Sequence, residues 1–139
     1  MFRVGIIGSE NSHATAFTKI FNASGQYPDI QVVAIYGEET EASQKIGETF
    51  HIPVLSPADM LGKVDAMMIT SRNGQLHPGY ARPFIEAGLP VFIDKPIANF
   101  SQDAKDVVAL ARENGVPVMG GSTLKLLKDT LELKALADA

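Results

Sequence analysis

The chain has 139 residues, 45% of them hydrophobic and 20% charged, with no cysteine and a formal net charge of −4. This is about one domain's length with enough apolar side chains for a single core, and it excludes disulfides, thiolate metal sites and a cysteine nucleophile. The scattered lysines make no basic stripe, so nucleic acid is not an expected partner, and no apolar run approaches the roughly 18 residues that span a bilayer.

Met1 and Phe2 lead straight into a strand-like run without the basic and apolar regions of an export signal, so a cytoplasmic location is expected. Residues 3–7 (RVGII) read as a first strand, and Ser12–Ala23 as a helix with Ala16, Phe17 and Ile20 toward the core. Gly25, Pro28 and Asp29 break the chain before a second strand at 31–36. Thr40–Phe50 has helical period, with Thr40 as cap and Ala42, Ile46 and Phe50 on one stripe. A short strand is expected at 53–55, and Ser56 caps a helical turn through 61 with Pro57 at its first position.

Residues 65–70 form a strand apolar enough to be buried on both faces. A helix over 79–87 stops at Gly88, Val91–Ile93 is the next strand, and Ser101 caps a helix through Glu113 that ends at Asn114 and Gly115. Residues 116–119 read as the last strand, and 123–137 as a closing amphipathic helix with Leu124, Leu127 and Leu131 on its apolar stripe. Strands alternating with helices predict an α/β domain: a doubly wound parallel sheet of Rossmann type, about six strands with helices on both faces, over residues 1–139. Ligands of such a sheet lie outside the carboxyl ends of its strands, which directs attention to residues 8–13, 37–40, 71–78 and 94–98.

In the dinucleotide fingerprint the first glycine makes a tight turn, the second admits the pyrophosphate and the third lets the helix pack on the strand. Here the six positions read Gly8, Ser9, Glu10, Asn11, Ser12 and His13. Only the first glycine is kept, but Ser9, Asn11 and Ser12 offer donors beside the free N–H groups of a helix N-terminus, which together make an anion site. Glu10 and His13 are only two metal donors, and His51 and His77 lie on other segments, so no metal is expected. Ser12 and His13 are about 100° apart on a helix and no G-x-S-x-G elbow is present, which argues against a hydrolase. Read without further context, Lys95 at a strand end is a solvated side chain and Arg72 a surface charge.

From Asp65 the sequence runs DAMMITSRNGQLHPGYARPFIEAGLPVFIDKPIA. This strongly resembles the nucleotide-binding domain of the glucose-fructose oxidoreductase, inositol dehydrogenase and MocA (Gfo/Idh/MocA) family of NAD(P)-dependent dehydrogenases. A buried strand, a loop ending in histidine, a helix closing on Ala-Gly, a strand and a Glu-Lys-Pro motif fall on His77, Ala87 with Gly88, Val91–Ile93 and Asp94-Lys95-Pro96. The loop before His77 is one residue longer than is usual in the family, and Asp94 replaces glutamate.

The resemblance implies that Lys95 is catalytic, its ammonium lying near nicotinamide and substrate, where it hydrogen-bonds the reacting hydroxyl. It implies that Ser71, Asn73, His77, Asp94, Lys95 and Pro96 line the cofactor cleft with Gly8, Ser9, Asn11, Ser12 and His13. The family's acidic ribose reader aligns with Gly37, leaving Glu38 to accept from the ribose hydroxyls. NAD is therefore the expected cofactor, with NADP not excluded. The implied activity is hydride transfer between the nicotinamide and a secondary alcohol of a sugar, cyclitol or related polyol. Family members carry a second α/β domain that supplies much of the substrate pocket, absent from residues 1–139, so this chain alone is expected to be inactive. The competing expectation is a ligand-sensing or partner-binding module whose altered loop has lost the dinucleotide. The leucine-rich last helix predicts a homo-oligomer.

Overall fold

The computed structural model describes residues 1–138. Strands β1 (Phe2–Ile7), β2 (Ile30–Tyr36), β3 (Ala66–Ile69), β4 (Val91–Ile93) and β5 (Val118–Gly120) form one sheet in the order β2-β1-β3-β4-β5. Every neighbouring pair is parallel, and parallel pairing needs crossovers. These are α1 (Ser12–Ala23), α2 (Thr40–Phe50), the short α3 (Pro57–Met60), α4 (His77–Glu86) and α5 (Ser101–Glu113). Helices α1 and α2 pack on β2 and on each other, while α4 packs on β3, β4 and α5.

The two faces are built by residues alternating along the strands, with the alternation in β2 offset where its ladder shifts between Val32 and Ala34. Val4, Ile6, Val32, Ile35 and Met68 meet Ala14 of α1 and Ile46 of α2 in one core. Ile7, Ala34, Met67, Ile69, Val91 and Ile93 meet Ala81, Phe84 and Ile85 of α4 and Val107 and Ala111 of α5 in the other. Strand order reverses between β1 and β3, which sets the crevice for a ligand at their carboxyl ends.

The sixth expected strand, at 53–55, is reduced to one parallel bridge between Val54 and Ile35 on the outer side of β2. Pro53 has no N–H to extend a ladder, and α3 begins almost at once. Helix α4 starts at His77, two residues before the expected boundary, because Pro78 fits the first turn. Thr40 and Ser101 are first helical residues rather than caps, and Glu39 and Phe100 before them make no side-chain cap bond. On α1 the inward residues are Ala14 and Thr18, with Phe17 and Phe21 beside them, whereas Ala16 is exposed. The last strand begins at Val118, not 116. The closing helix is broken into a 3-10 turn, Thr123–Leu126, and α6 (Lys128–Ala137), which buries none of its residues.

Candidate functional site

The loop after β1 lies hard against the loop after β3. Gly8 has φ +112°, and a Cβ there would stand 2.1 Å from the backbone nitrogen of Ser71, so only glycine makes this turn. Ser9 is buried and its Oγ lies 2.7 Å from Ser43 Oγ, fastening the loop to α2. Asn11 caps α1 by accepting from the backbone N–H of His13 at 3.1 Å. Ser12, the first helical residue, is exposed.

His13, in the slot where a third glycine was expected, turns its ring into the cleft. Its Nδ1 is 2.5 Å from Asp94 Oδ2, so α1 is tied to the end of β4. Asp94 is only 4% exposed, and its Oδ1 accepts the backbone N–H of Lys95 at 2.8 Å. A carboxylate so held keeps the imidazole in one orientation. His13, Phe17, Phe92, Asp94, Lys95 and Ser122 line a cavity of about 310 Å³. Lys95 is exposed at its edge, and the Lys95-Pro96 peptide is cis.

His77 is fully buried at the start of α4. Its Nε2 lies 2.8 Å from Ser71 O and its Nδ1 2.7 Å from Pro96 O. Both partners are acceptors; a neutral ring donates to one of them and an imidazolium to both. The side chain thus holds the loops after β3 and β4 together. Ser71 Oγ is buried without a hydrogen-bond partner. Asn73 faces outward, its Oδ1 accepting the N–H of Gln75 at 3.0 Å within a turn, and Pro96 is also exposed.

Glu38 follows the end of β2 by two residues. Glu38 accepts a hydrogen bond from Tyr80 Oη on α4. Burial, followed by this bond to a carboxylate, pushes the Tyr80 phenol above its ordinary value. Glu10 folds back over Gly37: a Cβ at Gly37 would lie 2.7 Å from Glu10 Oε2 and 2.0 Å from Ser9 Oγ. Glu10 Oε1 accepts the backbone N–H of Arg72 at 3.2 Å, while Oε2 is buried without a partner. The Arg72 guanidinium donates to Glu10 O and lies 3.9 Å from Glu39 Oε1. Tyr80, Ser43 and the Glu10–Gly37 contact were not legible in sequence, since they join segments 27 or more positions apart.

These observations fit a dinucleotide: a turn with no room for a side chain, a helix N-terminus behind it, and two buried polar atoms, Ser71 Oγ and Glu10 Oε2, without partners. Among the described residues no group of three or more His, Asp or Glu is placed to hold a metal, and no helix is long and apolar enough to cross a membrane.

The fold and crevice are those of a Rossmann-type domain with a dinucleotide-sized turn at its switch point. A family model described as "Oxidoreductase family, NAD-binding Rossmann fold" (GFO_IDH_MocA) matches residues 2–122, and the chain belongs to that family. The scyllo-inositol 2-dehydrogenase (NADP(+)) IolU of Bacillus subtilis is 26% identical, over 96% of this chain and 40% of its own length. Biliverdin reductase from Synechocystis, solved with biliverdin and NADP+, superposes with a TM-score of 0.77 at 26% identity, covering 89% of this chain and 39% of that one. KijD10, a 3-ketoreductase from Actinomadura kijaniata solved with NADP and TDP-benzene, gives 0.79 at 24% identity, covering 99% and 42%, a likeness of fold. The chain spans about two fifths of the length of the curated relatives it matches.

Proposed function

We propose that residues 1–139 are the cofactor-binding domain of an NAD-dependent dehydrogenase that acts on a secondary alcohol of a sugar, cyclitol or related polyol. The observation that carries this reading is the cavity of about 310 Å³ that Lys95 shares with the His13–Asp94 pair at the ends of α1 and β4. The name of one similar protein, a scyllo-inositol 2-dehydrogenase, supports a cyclitol hydroxyl as the reacting group.

When bound, the nicotinamide supplies the hydride acceptor or donor. In this reading Asn11 and Ser12 receive the pyrophosphate on the N-terminus of α1, while Gly8 makes the close turn and Ser9 fastens the loop to α2. The Lys95 ammonium donates a hydrogen bond to the reacting oxygen and offsets the charge that develops on it. Asp94 positions His13 beside that oxygen, and His77 holds the loops carrying Ser71 and Pro96 at the spacing the cofactor needs. Substrate contacts beyond this cavity come from outside residues 1–139.

A second reading, a ligand-sensing module that no longer takes a dinucleotide, draws on one observation: His13 bonds Asp94 across the cleft instead of leaving it open. Thermal unfolding with NAD, NADH, NADP and NADPH separates the two. A dinucleotide at about a hundred times its dissociation constant adds roughly 2.7 kcal/mol of stability. The dehydrogenase reading expects a clear upward shift in Tm with at least one oxidised or reduced pair; no shift with any of the four, in a chain that melts cooperatively, favours the sensor.

A further inference from the structure

Resting on the dinucleotide reading above, we infer that Glu10, supplied by the loop after β1, is the carboxylate that reads the adenine ribose and selects a free 2′-hydroxyl. In this fold the ribose reader is an acidic side chain at the end of the second strand. The residue at that point is Gly37, which has no side chain, and the space a side chain would fill is taken by Glu10 Oε2 and Ser9 Oγ. Glu38, the neighbouring candidate in sequence, has its Oε1 engaged by Tyr80 Oη on α4 and does not fill the space beside Gly37. Glycine at 37 and glutamate at 10 are thus complementary: the chain moves the carboxylate from strand to loop and keeps it at one place in the fold.

Glu10 also has the capacity for the task. Its Oε1 is held by the Arg72 N–H, which fixes the carboxylate, and its Oε2 has no partner. Ser9 Oγ is paired with Ser43 and Tyr80 Oη with Glu38, and neither donates to Glu10 Oε2. A ribose hydroxyl is the donor that a dinucleotide brings to this end of the sheet. The Arg72 side chain, 69% exposed, donates to the Glu10 backbone carbonyl and lies near Glu39. A 2′-phosphate placed here would meet Glu10, Glu38 and Glu39 against a single guanidinium, so like charge disfavours NADP.

The test is direct titration of the 139-residue chain with NAD+ and with NADP+, followed by calorimetry, on the wild type, Glu10→Gln and Glu38→Gln. Gln at 10 keeps an acceptor for the Arg72 N–H, and the Tm of each variant reports that it is folded. Wild type should bind NAD+ at least about tenfold more tightly than NADP+. Glu10→Gln should lose about tenfold or more toward NAD+ and narrow the gap to NADP+, as removal of a charged acceptor predicts. Glu38→Gln should keep the preference. Equal or tighter wild-type binding of NADP+ overturns the assignment without any variant, as does a preference that survives in Glu10→Gln or disappears in Glu38→Gln. Wild type that binds neither dinucleotide overturns the dinucleotide reading itself, and this assignment with it.

Discussion

Gly8 shows how one residue sets the site. With φ at +112° and the Ser71 backbone 2.1 Å from where a Cβ would stand, Gly8→Ala combines backbone strain with overpacking and should cost about 2–5 kcal/mol. A urea denaturation series checks this; a loss below the error of the method would mean that the two loops are free to separate. Asp65 makes a different point, because its role is electrostatic and local. The Arg3 side chain donates to both of its oxygens and the Arg3 N–H to Oδ2. Those bonds, the side-chain one first, hold the carboxyl down from 3.8 to about 2. A depressed acid contributes stability above its unfolded value and loses it as pH falls through the folded one. The stability of the wild type should therefore drop relative to Asp65→Asn between about pH 4 and pH 2. Unfolding midpoints measured across that window decide it, and parallel curves would leave the ion pair without a net role.

At the scale of elements, the register of β2 depends on a side chain from α1. The ladder between β1 and β2 shifts at Val4 and Gly5, so that Val32 pairs with Val4 and Ala34 with Gly5. Val32 turns its outer N–H and C=O to Asn22, which accepts from the first at 2.8 Å and donates to the second at 2.9 Å. Asn22→Ala would leave both part-buried backbone groups without a partner and should destabilise by about 1–3 kcal/mol. Hydrogen exchange should then show faster exchange of β2 amides while α4 and α5 stay protected; uniform loss of protection would contradict a local clamp. Much of this level was readable in advance. Short apolar runs placed all five sheet strands and the 3.6 period of apolar residues placed the principal helices, since burial in a parallel sheet or along one helical face enforces those patterns. The errors fell at ends. Residues 53–55 begin at Pro53, which has no N–H to extend a ladder, and 123–137 had an apolar stripe with no surface to meet.

For the whole molecule, the unpartnered apolar surface is the main consequence of the fold. Phe2, Val4, Met68, Phe92 and Met119 line an open apolar cleft of about 370 Å³ across β1, β3, β4 and β5. Leu126, Leu133 and Leu136 of the C-terminal segment are also more than two thirds exposed. Surface of this kind drives association when nothing covers it. The 139-residue chain should self-associate with rising concentration in sedimentation velocity, and Met119→Lys should weaken that association. A sedimentation coefficient independent of concentration would count against it. Of the candidate site, the tertiary structure groups His13, Asp94 and Lys95 around one cavity and sets Gly8 against Ser71, while turning Asn73 outward.

The amino-acid sequence by itself determined the α/β architecture, the turn at Gly8, the loops that carry polar groups to the carboxyl ends of the strands, and the family that residues 65–98 resemble. These follow from short-range periodicity and from motifs within a few residues. Only the tertiary structure decided which carboxylate stands over Gly37, that Tyr80 engages Glu38, and that His13 reaches Asp94. Each of these joins segments 27 to 81 positions apart. Such pairings depend on the order of strands in the sheet and on which side chain fills a space another has left, and no local pattern encodes either.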